Sequence, residues 1–137
     1  MRARRGRVLS RKRRRAAERR GRRAEALAAL WLQLGGWRIL DRRARTAAGE
    51  LDLVARRGDV LAFIEVKERA SLDAGLEAVS LRQRARLIRA GSLWQGRRAD
   101  LAHLQPRHDL IVIAPWRWPV RRVGAFDADA PGLRNLL

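Results

Sequence analysis

The sequence predicts an α/β domain, a mixed β-sheet with helices on its faces. Three observations lead there. Residues 21–34 repeat apolar side chains at helical spacing. Two segments rich in Leu, Val, Ile and Phe flank the turn signal Arg56-Arg57-Gly58-Asp59. A helical region from about Leu72 to Trp94 then separates these strands from another apolar strand, His108 to Ala114. The resulting order is helix, three strands, helices, strand, strand.

In chain order, Met1 to Arg20 is an arginine-rich tail with little to bury, expected to be disordered alone. A nucleic-acid arm and a plain solvated extension are equally compatible with it. Between Gly21 and Leu34 a helix is expected, with Ala24, Leu27, Ala28, Trp31 and Leu34 as its buried stripe. Glu25 sits at the edge of that stripe, and Gly35-Gly36 stops the helix. The sheet begins at Trp37-Arg38-Ile39-Leu40, and a turn through Thr46 to Gly49 leads to the central hairpin. Ser80 is a good N-cap, so the helical region should break there. In its second part Leu81, Ala85, Ile88 and Ser92 form one stripe, widened by Leu87, Ala90, Gly91 and Trp94. Arg82, Arg86 and Arg89 line another face, as an ordinary solvated surface or as a phosphate-tracking stripe. Gln83 and Arg84 stand where they could reach the same region as the hairpin acids. Pro115-Trp116-Arg117-Trp118-Pro119 forms a bend whose tryptophans are expected to cap the core rather than stack on bases. A last short strand is expected within Val120 to Phe126, and residues 127–137 form a polar, frayed tail. The domain proper is therefore residues 21–126.

The chemistry concentrates in the hairpin. Alternation along a strand puts Glu50, Asp52 and Val54 on one face, and Leu61, Phe63, Glu65 and Lys67 on one face of the next strand. A two-residue loop at Arg57-Gly58 sets Glu50 opposite Glu65, whereas a four-residue loop sets Asp52 opposite Glu65. Either way the acids and the lysine share a side. Two carboxylates this close repel unless a cation lies between them, and hard divalent ions take such oxygen ligands. Lysine is also rare here, two residues (Lys12 and Lys67) among 32 basic ones. A compact ammonium beside an acid therefore points to a task that arginine's broad fork does not serve. A solvated sheet face carrying alternating charges explains the same residues, and both readings stand at this stage.

Composition narrows the alternatives. The 137 residues make one domain. Without cysteine there is no disulfide and no thiolate zinc site. His103 and His108 lack a standard ligand spacing, so a metal would be oxygen-bound. No apolar run reaches membrane-spanning length, and cytoplasm is the default location. The formal charge is +18, with 13 basic and 1 acidic residue among the first 23. Such a balance favours polyanions, nucleic acid first among them. There is no phosphate-binding Gly-rich loop with Lys-Ser/Thr and no nucleophile-elbow serine.

Taken together, several segments resemble the YraN family of small bacterial proteins, placed in the restriction-endonuclease-like superfamily. They are Gly21-Arg22-Arg23-Ala24-Glu25, Gly36-Trp37-Arg38-Ile39-Leu40, Gly49-Glu50-Leu51-Asp52-Leu53-Val54-Ala55, Phe63-Ile64-Glu65-Val66-Lys67, Glu77-Ala78-Val79-Ser80, the strand from Asp109, and Val123-Gly124-Ala125-Phe126. The resemblance covers most of residues 21–126 and implies a restriction-endonuclease-like core. It further implies that Asp52, Glu65 and the carbonyl of Val66 bind Mg²⁺ or Mn²⁺. Lys67 would then orient or activate the attacking water, and Glu25 would complete the site. The spacing is similar to that of archaeal Holliday-junction resolvases, which makes branched DNA a candidate substrate and a homodimer a candidate assembly. Leu81-Arg82-Gln83-Arg84 departs from the family's Pro-Arg-Lys-Gln, and Glu68 replaces a usual threonine. The expected function is metal-dependent hydrolysis of DNA; the rival is a nucleic-acid-binding protein that keeps the fold without turnover.

Overall fold

The structure is a computed structural model describing residues 2–126 and 132–137. Its elements are α1 (Arg2–Leu34), β1 (Arg38–Thr46), β2 (Gly49–Arg57), β3 (Val60–Glu68), α2 (Leu72–Glu77), α3 (Leu81–Gly96), a 3₁₀ turn (Ala99–Leu101), β4 (Gln105–Ile113) and β5 (Val120–Arg122). The five strands form one sheet in chain order. β1, β2 and β3 pair antiparallel, β3 and β4 parallel, and β4 and β5 antiparallel. The fold is thus α/β with a mixed sheet flanked by helices, as a restriction-endonuclease-like core requires. Central placement explains why Leu61 to Glu65 and Asp109 to Ile113 are buried without alternation.

Two apolar layers hold the helices to the sheet. On one face Ala24, Ala28, Ala29 and Leu32 of α1 meet Leu53, Ala55, Ala62, Ile64 and Ile111. Alanine on both sides lets the helix approach the strands closely. On the other face Leu87, Ala90 and Trp94 of α3 pack on Val54, Leu61, Phe63, Leu110 and Val112. The Phe63 and Trp94 rings meet edge to face, with centroids 6.0 Å apart.

Several expectations are corrected. α1 begins at Arg2 rather than Gly21. Arginine and alanine are good helix formers, and Gly6 and Gly21 each weaken the helix by only about 1 kcal/mol. Within α1, Leu27 and Leu34 are exposed, and Ala29 and Leu32 take their places in the core. The buried stripe of α3 is Ala85, Leu87, Ala90, Gly91 and Trp94, with Leu81 and Ser92 exposed. That rotation brings Gly91, which has no Cβ, against His108 and Phe63; a Cβ there would lie 2.9 Å from the imidazole. Ser80 does cap α3, accepting from the Gln83 amide at 3.1 Å. Trp116 and Trp118 do not cap the core but lie exposed. In the expected C-terminal tail residues 127–131 lie outside the described residues, whereas Leu133 is fully buried.

The hairpin register is decided by its turn. Arg57 pairs with Val60, so the two-residue loop is Gly58-Asp59, one residue later than the Arg57-Gly58 loop considered above. Gly58 supplies the left-handed φ of 57° that opens the turn. The ladder runs to Leu53 opposite Ile64, and the next step sets Asp52 beside Glu65.

Candidate metal centre

Strict alternation breaks at Asp52. Leu53 and Ala55 belong to the α1 layer, yet Leu51 belongs with Val54 to the α3 layer. The β1–β2 register places Arg43 across from Asp52, and Arg43 has a left-handed φ of 49°. A non-glycine residue seldom takes this conformation inside a strand. Here β2 stops pairing with β3, and the carboxylate of Asp52 enters the gap. Its Oδ2 accepts the backbone N–H of Val66 at 2.8 Å. A side chain thereby replaces a ladder carbonyl.

On β3, Glu65 lies on the α3 side of the sheet and is 7% exposed. Its Oε1 stands 3.4 Å from Lys67 Nζ and accepts the Gln83 amide at 3.3 Å. α1 brings Glu25 from the opposite side. Glu25 Oε2 accepts Arg43 Nε at 2.8 Å, and its charge is felt at Asp52. Asp52, Glu65 and Lys67 thus come together, with Glu25 near them and held by Arg43. Val66 is fixed through its N–H. Arg82 and Arg86 are exposed on the outer side of α3 next to Gln83. Arg89 instead donates to the Leu136 carbonyl at 2.8 Å.

The electrostatics follow from burial. Loss of water pushes the Glu65 carboxyl up from 4.5 to about 8, and the Asp52 charge pushes the same way against the pull of Lys67. Asp52 is also raised, mainly by burial, and the Val66 N–H opposes the rise. Without a cation, burial and the Asp52 charge therefore favour the protonated form of Glu65. Arg43 is raised, chiefly by its bond to Glu25. Among the described residues no three His, Asp or Glu side chains converge as a metal cluster. The acidic centre is a pair, which is the usual protein share for a hard ion that keeps waters and phosphate oxygens.

Two participants are not in the motif. Gln83 supplies the amide to Glu65, while Arg84, at the family's glutamine position, donates to the Val79 and Leu76 carbonyls. Helical spacing from Ser80 leaves either side chain in reach, so only packing separates them. Arg43 has no sequence signal, since its role depends on the left-handed backbone.

Residues 24–113 match the model of the uncharacterised protein family UPF0102. The chain belongs to the UPF0102 family. It is 54% identical over 124 residues to a UPF0102 protein of Maricaulis maris, covering 90% of this chain and 97% of the relative. A UPF0102 protein of Mesorhizobium japonicum is 49% identical over 110 residues, covering 80% and 88%. One from Caulobacter sp. is 53% identical over 106 residues, covering 77% and 76%. This UPF0102 chain thus shares most of its length with these relatives. The matched region contains Glu25, Asp52, Glu65 and Lys67. Among the described residues no helix is long and apolar enough to cross a membrane.

Proposed function

We infer that this UPF0102 protein is a metal-dependent endonuclease that hydrolyses phosphodiester bonds of DNA in the cytoplasm. The observation that carries the reading is the grouping of half-buried Asp52, its Oδ2 on the Val66 N–H at 2.8 Å, with buried Glu65, whose Oε1 lies 3.4 Å from Lys67 Nζ. Two neighbouring carboxyls whose charged forms are disfavoured by burial are suited to a dication, which would neutralise both. Asp52, Glu65 and the Val66 carbonyl would hold Mg²⁺ or Mn²⁺. Such an ion stabilises charge on the phosphate oxygens and acidifies water.

The protein's own groups do the rest. The Val66 N–H fixes Asp52, and the Gln83 amide fixes Glu65. Lys67 orients the attacking water and offsets charge gathering on the phosphate. As the water oxygen adds to phosphorus and releases a proton to solvent, the P–O bond to the leaving strand breaks and the leaving oxygen takes a proton from solvent water. Glu25, steadied by Arg43, helps to place the water. Arg82 and Arg86, exposed on α3, would follow the backbone of a bound strand by its phosphates.

Cleavage of labelled linear, single-stranded and four-way-junction DNA with Mg²⁺ or Mn²⁺ tests this. Cuts made by the wild type and lost in both Lys67→Ala and Asp52→Asn support the nuclease, and a junction preference detected as a dimer supports a resolvase. If nothing is cut while all three proteins bind DNA alike and salt-sensitively, the protein is a binding module that keeps the fold.

A further inference from the structure

The segment after β4 stands away from α1 and leaves a groove of about 600 Å³ between them. Leu27, Leu30 and Leu34 of α1 line it and remain exposed, at 52%, 54% and 80%. Across the groove Trp116 is fully exposed and Trp118 is 84% exposed. Trp116 takes a left-handed φ of 61°, which is rare for a residue with a side chain. The charged groups on the lining are Arg20, Arg23, Arg117 and a single acid, Glu68. Past Trp118 the groove runs into a second depression of about 380 Å³ that shares Trp31, Leu34 and Trp118 with it. There the Arg57 and Arg121 guanidiniums lie 4.6 and 5.6 Å from the Trp37 ring centroid. Stacking on the indole steadies both cations.

Exposed flat rings between arginines match a chain of bases joined by phosphates. A second copy of this protein fits poorly. In a two-fold contact the same patch meets itself, so the arginines of both copies would be pressed together on molecules of charge +18. A duplex fits poorly too, because its base faces are already stacked on one another. Glu68 and Ala24 line the groove and stand next in the chain to Lys67 and Glu25.

We propose that this groove binds single-stranded nucleic acid, with bases stacked on Trp116 and Trp118 and phosphates held by Arg20, Arg23 and Arg117. Binding stands independently of catalysis. Only the onward path of the strand to Asp52 and Glu65 rests on the nuclease reading.

The test is fluorescence anisotropy of a labelled oligothymidylate and of a labelled duplex in EDTA, where no metal-dependent turnover interferes. Trp116→Ala and Trp118→Ala should each weaken single-strand binding roughly 5- to 150-fold, with duplex binding unchanged. Both rings are exposed, so the fold should survive, as circular dichroism would verify. Unchanged single-strand affinity in both tryptophan variants overturns the proposal. So does a wild-type dimer in light scattering that Trp118→Ala converts to monomer, because a second copy would then cover the face. Absent cleavage with this binding pattern intact defeats only the nuclease reading.

Discussion

Replacing Glu65 by glutamine should stabilise the metal-free protein while removing its response to Mg²⁺. Glu65 is 8% exposed at its side chain, and burial beside Asp52 moves its carboxyl from 4.5 to about 8. The unfolded chain releases this proton above pH 4.5, whereas the folded chain keeps it to about pH 8. The folded state therefore binds more protons across that window, and stability falls as pH rises through it. At about 1.4 kcal/mol per pH unit, the carboxyl costs the fold about 3 kcal/mol at pH 7. Glutamine keeps the shape and an oxygen for Gln83 without titrating. Metal-free Glu65→Gln should thus melt roughly 10 °C above the wild type at pH 7, and the gap should close below pH 4.5. Mg²⁺ should raise the wild-type melting temperature more at pH 8 than at pH 6, because binding must displace the proton, and should leave the variant unmoved. Differential scanning fluorimetry in EDTA and in Mg²⁺ measures each quantity. A metal-free variant that melts at or below the wild type at pH 7 would refute the electrostatic reasoning.

Other perturbations probe the scaffold. Asp109 is fully buried, takes Arg107 at 2.9 and 2.8 Å, and accepts the Gly124 N–H at 2.9 Å. Asp109→Ala should lose about 2–3 kcal/mol in urea melts, at the lower end for a buried pair because Arg107 is partly exposed. Gly75→Ala would drive a Cβ into Val112 Cγ2, forcing α2 off β4; thermal melts should show about 1–3 kcal/mol lost. Burial lowers His108 from 6.5 to about 4, so the unfolded chain binds the extra proton between those values. Stability from this group is lost as pH falls through that range, and His108→Gln should flatten the acid limb while leaving the Glu65 limb above pH 6.5 intact.

The sequence by itself determined the element order, the Ser80 cap and the pairing of an acid with an acid-x-lysine on neighbouring strands. These depend on local periodicity and turn chemistry, which the chain carries in its own residues. It also excluded a disulfide and any thiolate ligand, since the chain contains no cysteine. The hairpin register needed the structure, because shifting the turn by one residue moves the facing acid from Glu50 to Asp52. Tertiary packing alone decided that Arg43 turns left-handed opposite Asp52, that Gln83 rather than Arg84 reaches Glu65, and that Trp116 and Trp118 face outward. No local signal marks those choices. Each depends on which surface another element has already covered, and that is settled only when α1, α3 and the sheet close on one another.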